Sequence, residues 1–261
     1  MNMRKPVLLY YDFGQDVVAF SSTRQGGYSD GNYGQFNINR YCGDSVEAIA
    51  KNRQALCQLL QIDDCHLMMP HQVHQTEIAN IDDKFLRLDS EQQHERLEGV
   101  DAIMTDVRGV CIGVSTADCI PVLLYDPVKH AACAIHAGWR GTQQRIVEKA
   151  VKAMTETYSS NACDFQAQIG PGIGLDSFEV GDEVYDAFAQ VAFDMAAISE
   201  RREKWHINLP LCNKIQLMTM GIKPENISVS DICTYKSHDT FFSARRLGIN
   251  SGRIFTAIML K

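Results

Sequence analysis

No stretch of this sequence approaches the ~20 apolar residues that a membrane-spanning helix needs. The N-terminal Met1-Asn2-Met3-Arg4-Lys5-Pro6 is charged and lacks both a long apolar run and a small-residue cleavage site, so no leader is read there. The expectation is a cytoplasmic protein with no membrane partner. Positive charge is also short: 25 Lys and Arg face 32 Asp and Glu, a net charge of −7. A nucleic-acid partner needs a concentrated basic face and is not expected. A small anion needs only a few placed arginines and stays open. None of the nine cysteines sits in a C-x-x-C pair, which removes a zinc knuckle and a thioredoxin-type site. The H-x-E…P-C-x-x-C signature of the zinc deaminases is missing too. There is no internal repeat, low-complexity tract or Pro/Ser-rich linker. The polar stretch 82–98 reads as loop and is too short to separate domains.

What is present is a chain of 261 residues, 45% hydrophobic and 22% charged, the balance of a protein with a substantial core. One domain spanning 1–261 is the simplest organisation. Strand-like segments fall at 17–21, 109–114, 120–125, 131–135, 227–232 and 254–260. Ser45 can cap a helix running to Leu60, with Ile49, Arg53, Leu56 and Leu60 on one stripe. Thr142 can cap a helix over Ile146, Val147, Ala150, Val151 and Met154, and Asp182 another. Pro210 suits the first turn of a helix ending at Gly221. Strands and helices mix without strict alternation, which predicts an α+β fold with mixed sheets.

The chemistry concentrates in Ser115-Thr116-Ala117-Asp118-Cys119-Ile120-Pro121-Val122 and Ala134-Ile135-His136-Ala137-Gly138-Trp139-Arg140-Gly141. If the two strands form a hairpin centred between Pro127 and Val128, Cys119 pairs directly with His136. Paired Cβ atoms lie ~4.5–5.5 Å apart, a span that one metal ion can bridge to a thiolate and an imidazole. The same pair can serve as nucleophile and base. Both alternating faces of this hairpin are apolar, which predicts a layered sandwich with the reactive pair at a sheet edge. A third ligand is sought in Pro70-His71-Gln72-Val73-His74. In an extended segment His71 and His74 point to opposite sides, so one of them ligates, and spacing does not choose between them. Arg140 follows a glycine at a helix start and could hold phosphate or carboxylate. Arg53 lies on an apolar stripe and needs a partner, either a ligand or a structural ion pair. Asp118, adjacent to the cysteine, points the other way and reads as a turn residue.

Taken together, Gln72-Val73-His74, Thr116-Ala117-Asp118-Cys119-Ile120-Pro121-Val122-Leu123, His136-Ala137-Gly138-Trp139-Arg140-Gly141 and Cys233-Thr234 resemble the signatures of the polyphenol-oxidase, or laccase-domain, family. Ser22-Thr23-Arg24, Asn37-Ile38-Asn39, Gly43-Asp44, Asn52-Arg53, Ile169-Gly170-Pro171 and Phe242-Ser243-Ala244-Arg245-Arg246 fit the same pattern, so the resemblance spans nearly the whole chain. Its members are described as zinc-dependent purine nucleoside phosphorylases.

The resemblance implies an α/β/β/α sandwich similar to the toxin-like cysteine hydrolases. It implies one zinc on His74, Cys119 and His136, and so prefers His74 over His71. Arg53, Cys119 and His136 become the catalytic candidates, and Arg24, Arg53 and Arg140 the substrate and phosphate candidates. The implied reactions are phosphorolysis of adenosine, inosine and methylthioadenosine, and adenosine deamination. The implied partners are a purine nucleoside and phosphate, with a homo-oligomer left open. Gln75 stands where the family commonly has glycine, which questions the local backbone path. Copper is a second candidate metal, but eight histidines without one His-x-His pair do not suit multicopper oxidation. A cysteine hydrolase acting on a cell-wall peptide precursor is the alternative enzyme class.

Overall fold

The structure, a computed structural model, describes residues 4–261; the first three residues of the segment read for a leader lie outside it. In chain order the strands are β1 (Leu8–Tyr11), β2 (Val17–Ser22), β3 (Leu67–Met68), β4 (Ile78–Asn80), β5 (Ala102–Thr105), β6 (Cys111–Thr116) and β7 (Ile120–Asp126). Then come β8 (Ala131–Ala137), β9 (Gln166–Ile169), β10 (Glu179–Val180), β11 (Ser199–Arg201), β12 (Trp205–Ile207), β13 (Ile227–Val229) and β14 (Ile254–Leu260). The helices are α1 (Val46–Leu60), α2 (Asp83–Leu86), α3 (Ser90–Arg96), α4 (Trp139–Gln143), α5 (Ile146–Tyr158), α6 (Asp182–Gln190), α7 (Met195–Ile198), α8 (Leu209–Thr219) and α9 (Ala244–Leu247).

Two mixed sheets dominate. One runs β1-β2-β14-β6-β3, the other β13-β9-β7-β8-β5-β4. Most pairs are antiparallel; β3/β6, β4/β5 and β13/β9 are parallel. The sheets face each other through Ile112, Val114 and Ile258 on one side and Ile103, Leu123, Ala132 and Ala134 on the other. Outside the first sheet, Leu56 and Leu60 of α1 pack against Phe20 and Phe255. Outside the second, Val147 and Val151 of α5 and Leu217 of α8 cover Val122, Leu124 and Ile135. This is the expected α/β/β/α layering. It explains why β7 and β8 are apolar on both alternating sets: each of their faces is covered, and each buried Val, Leu or Ile contributes ~1.5–3 kcal/mol relative to exposure.

Local signals held in several places. Ser45 caps α1 by accepting from the Ala48 N–H at 3.3 Å, and Pro210 lies in the first turn of α8. Others shift. The helix expected from Thr142 breaks in two, because Gly138 starts α4 and the left-handed Arg145 (φ 65°) ends that run before α5 begins. Thr142 lies inside α4, where its hydroxyl accepts from the Asn213 amide at 3.3 Å. Asp182 occupies the first turn of α6, after Gly181. The stretch expected as loop, 82–98, forms α2 and α3, with Asp82 and Asp89 as their caps.

Candidate metal centre

The β7–β8 pairing differs from the expectation by two residues. Asp126 pairs with Ala131 and Pro121 with His136. The two-residue turn over Pro127 and Val128 fails because such turns need positive φ at the first position, which the proline ring forbids. Instead the Asp126 carboxylate accepts from the N–H groups of Val128 (2.8 Å) and Lys129 (3.0 Å), and His130 takes the left-handed turn position at φ 51°. A shift of two preserves side-chain parity. Cys119, two residues before Pro121, therefore stays on the same side as His136.

His74 completes the set. The ligand atoms of His74, Cys119 and His136 all lie within 4.8 Å of one another, with His136 buried, Cys119 half-buried and His74 exposed. The rings of His74 and His136 meet edge to face, 4.8 Å between centroids. The loop bearing His74 is clamped to β6 by Gln72, whose side chain accepts from Ser115 N–H (2.7 Å) and donates to Ser115 C=O (2.8 Å). The left-handed backbone in this loop falls on His74 itself, φ 63°. Position 75 carries no such demand, so Gln75 is accommodated. His71 turns away: its ring bonds Glu98 at 2.6 Å and stacks on Tyr41. The backbone of Gly138 runs close under the cluster, where a Cβ would come 2.9 Å from His74 Cδ2 and 3.1 Å from Cys119 Sγ.

Sequence reasoning missed Asp101. It is fully buried and gathers four donors: His136 Nδ1–H (2.7 Å) and the backbone N–H groups of Val73 (3.3 Å), His74 (3.0 Å) and Gln75 (2.7 Å). An ionised carboxylate only accepts, so His136 Nδ1 carries the hydrogen and Nε2 is left for the cluster. The one available signal was an acidic residue placed directly before the apolar run 102–104.

The electrostatics favour a thiolate at Cys119. Burial pushes the Cys119 thiol up, but the His136 charge and bonds from both histidines outweigh it and pull the thiol well below its ordinary range. Burial pulls His136 down, but the Cys119 charge and the Asp101 bond push it up. Two imidazoles and a thiolate form a donor set that fits zinc, and three protein donors would leave room on it for one further ligand.

A cleft opens over the cluster, lined also by Asn39, Tyr41, Thr116, Ile249 and Arg253. The arginines named from sequence do not line it. Arg53 is the structural ion pair: Nε bonds Asp64 at 2.8 Å and a terminal nitrogen donates to Leu67 C=O at 3.2 Å. Arg24 donates to the carbonyls of Gly34 (2.9 Å) and His238 (2.7 Å) and lies over Phe242. Arg140 is exposed and lies over the Trp139 ring. Arg24 and Arg53 thus have partners that sequence spacing does not reveal, whereas Arg140 lies only on its sequence neighbour. Arg253 faces the cleft instead, held by bonds to the carbonyls of Ile249 (2.9 Å) and Gly252 (3.0 Å). Asp118, at φ 86°, accepts from the Thr234 hydroxyl and the Arg245 N–H, both at 2.7 Å. It thus joins three of the motifs as a structural tie, in keeping with its reading as a turn residue.

Residues 18–261 match the family described as multi-copper polyphenol oxidoreductase laccase. The chain belongs to this laccase-domain family. Among relatives of this laccase-domain chain, a purine nucleoside phosphorylase of Bacteroides thetaiotaomicron is 46% identical, covering 94% of this chain and 92% of its own length. Adenosine deaminase RL5, from an unknown prokaryotic organism, is 42% identical over 95% of each chain. Purine nucleoside phosphorylase YfiH of Escherichia coli is 32% identical, covering 99% of this chain and 100% of its own. The crystal structure of the Bacillus licheniformis protein YfiH superposes with a TM-score of 0.91 at 28% identity, covering 100% of this chain and 98% of its own. The laccase-domain fold is therefore shared throughout. Among the described residues no helix is long and apolar enough to cross a membrane.

Proposed function

We propose that this laccase-domain chain is a zinc-dependent purine nucleoside phosphorylase acting on adenosine, inosine and S-methyl-5′-thioadenosine, with adenosine deaminase activity. The observation that carries the reading is the convergence of His74, Cys119 and His136 under one cleft. The phosphorylase and deaminase relatives support the substrate class.

In phosphorolysis a phosphate oxygen bonds C1′ of the ribose while the C1′–N9 bond breaks. The base leaves with the bonding pair and takes up a proton; the sugar product is ribose 1-phosphate, or its 5-methylthio analogue from S-methyl-5′-thioadenosine. Zinc on His74, Cys119 and His136 would supply a Lewis acid for a ribose hydroxyl, a phosphate or, in deamination, a water. Asp101 fixes the tautomer and plane of His136 and holds the His74 loop in place. Arg253 is given the phosphate role that the resemblance implied for Arg24, Arg53 and Arg140, because it lines the cleft and they do not. Its guanidinium, pinned at the cleft edge, presents a positive charge to a phosphate and so keeps the nucleophile near the sugar. Thr116, whose buried hydroxyl has no partner, offers a further bond on the cleft floor.

The test is incubation with each nucleoside, with and without phosphate and chelator. Base release that needs phosphate and is abolished by chelation supports the reading; no turnover of any purine nucleoside sinks it. One observation favours a second reading. Cys119, His136 and Asp101 also line up as nucleophile, base and orienting acid. Amide hydrolysis that survives chelation and is lost on Cys119 alkylation would establish that chemistry instead.

A further inference from the structure

The proposed mechanism accounts for the sugar and phosphate ends of a nucleoside and leaves one wall of the cleft unused. On that wall Tyr41 and His71 stack nearly parallel, 4.1 Å between ring centroids and 22° between planes. Both rings line the cleft and both are half-buried. Neither is free to swing. His71 is fixed by its 2.6 Å bond to Glu98. Tyr41 is held at its backbone, whose N–H donates to Asn39 Oδ1 at 2.7 Å, and at its ring, which lies nearly parallel to His94 with centroids 6.3 Å apart and its hydroxyl 3.5 Å from His94 Nδ1. The cleft also carries Ile249, an aliphatic side chain 72% exposed. A flat, pre-ordered aromatic plate and an uncovered aliphatic group, in a cleft whose remaining lining is largely polar, match a planar heteroaromatic ring that needs no charge complement. Stacking on a plate already held in position costs little ordering entropy.

We infer that the Tyr41–His71 plate, with Ile249, is the base-binding wall of this site and sets its preference for a large flat base. His71, excluded as a metal ligand, thereby acquires a role three residues from one. The inference rests on the nucleoside reading above.

The experiment is calorimetric binding of inosine without phosphate, where neither phosphorolysis nor deamination can proceed. Ribose 1-phosphate, which lacks the base, is the second probe. Tyr41→Ala is expected to weaken inosine binding about tenfold or more, in the range of base–aromatic stacking losses. Tyr41→Phe is expected to stay within about threefold of wild type, and Ile249→Ser to weaken inosine several-fold. Ribose 1-phosphate affinity and bound metal should be unchanged in all three. Wild-type inosine affinity in Tyr41→Ala, or an equal loss of ribose 1-phosphate, overturns the assignment while leaving the nucleoside reading in place. A wild-type protein that binds no inosine at all removes both.

Discussion

Asp101 Oδ1 lies 2.7 Å from His136 Nδ1, and both side chains are closed off from solvent. The same carboxylate holds three successive backbone N–H groups of the loop that carries His74. One buried charge thus places two histidines of the cluster that are distant in sequence. In Asp101→Asn the shape is kept and the charge lost, so His136 loses its fixed tautomer. Metal affinity should fall about 10–100-fold, as for other partners behind a metal-bound histidine. Competition titration against a chromophoric chelator measures this, and unchanged affinity would refute the role.

Cys119→Ser should lose the metal while the fold stays intact, because the sheets are closed by apolar side chains elsewhere. Metal analysis should show near-zero occupancy, with an unchanged far-ultraviolet circular dichroism spectrum. Retained stoichiometric metal would mean the cluster is not the site.

Gly138→Ala places a methyl group 2.9 Å from His74 Cδ2 and 3.1 Å from Cys119 Sγ. A ligand must move to admit it. The expected result is weakened metal binding out of proportion to any change in thermal midpoint. A variant that binds metal like the wild type would show that the loop yields at no cost.

Arg53→Ala removes the partner of Asp64 and leaves the buried Leu67 carbonyl without its donor. The expected cost is about 1–3 kcal/mol of stability, measured by denaturant unfolding, with the KM for phosphate unchanged. A raised phosphate KM at wild-type stability would restore Arg53 to the substrate site.

Arg253→Met keeps the length and removes the charge at the cleft edge. The KM for phosphate should rise at least about tenfold, equivalent to ~1.4 kcal/mol, while bound metal stays stoichiometric. Phosphate kinetics like those of the wild type would move the anion site elsewhere.

The register of β7 and β8 shows how far sequence reasoning reached. Alternation along 120–126 and 131–137 set which side chains share a face, because a strand has only two faces. Turn length was misjudged because it depended on the Asp126 carboxylate and the left-handed His130. The error of two residues left Cys119 and His136 on one side, so the reactive pair survived it. The arginines fared differently. A long side chain reaches far from its Cα, so the spacing of Arg24 and Arg53 says nothing about which carbonyl or carboxylate lies within reach, and Arg140 lies on the Trp139 ring next to it in sequence.

By itself the sequence determined the layered α+β fold, through period-two and period-3.6 apolar patterns, and the thiol–imidazole pair at the sheet edge, through local strand geometry. Spacing left His71 and His74 open and only the resemblance preferred His74; tertiary structure brought His74 to the pair and stacked His71 on Tyr41, and it alone decided that Asp101 anchors both histidine-bearing segments and that Arg253 lines the cleft. Those outcomes depend on segments far apart along the chain meeting at one sheet edge. Local chain chemistry can describe each segment and carries no record of where the others come to rest.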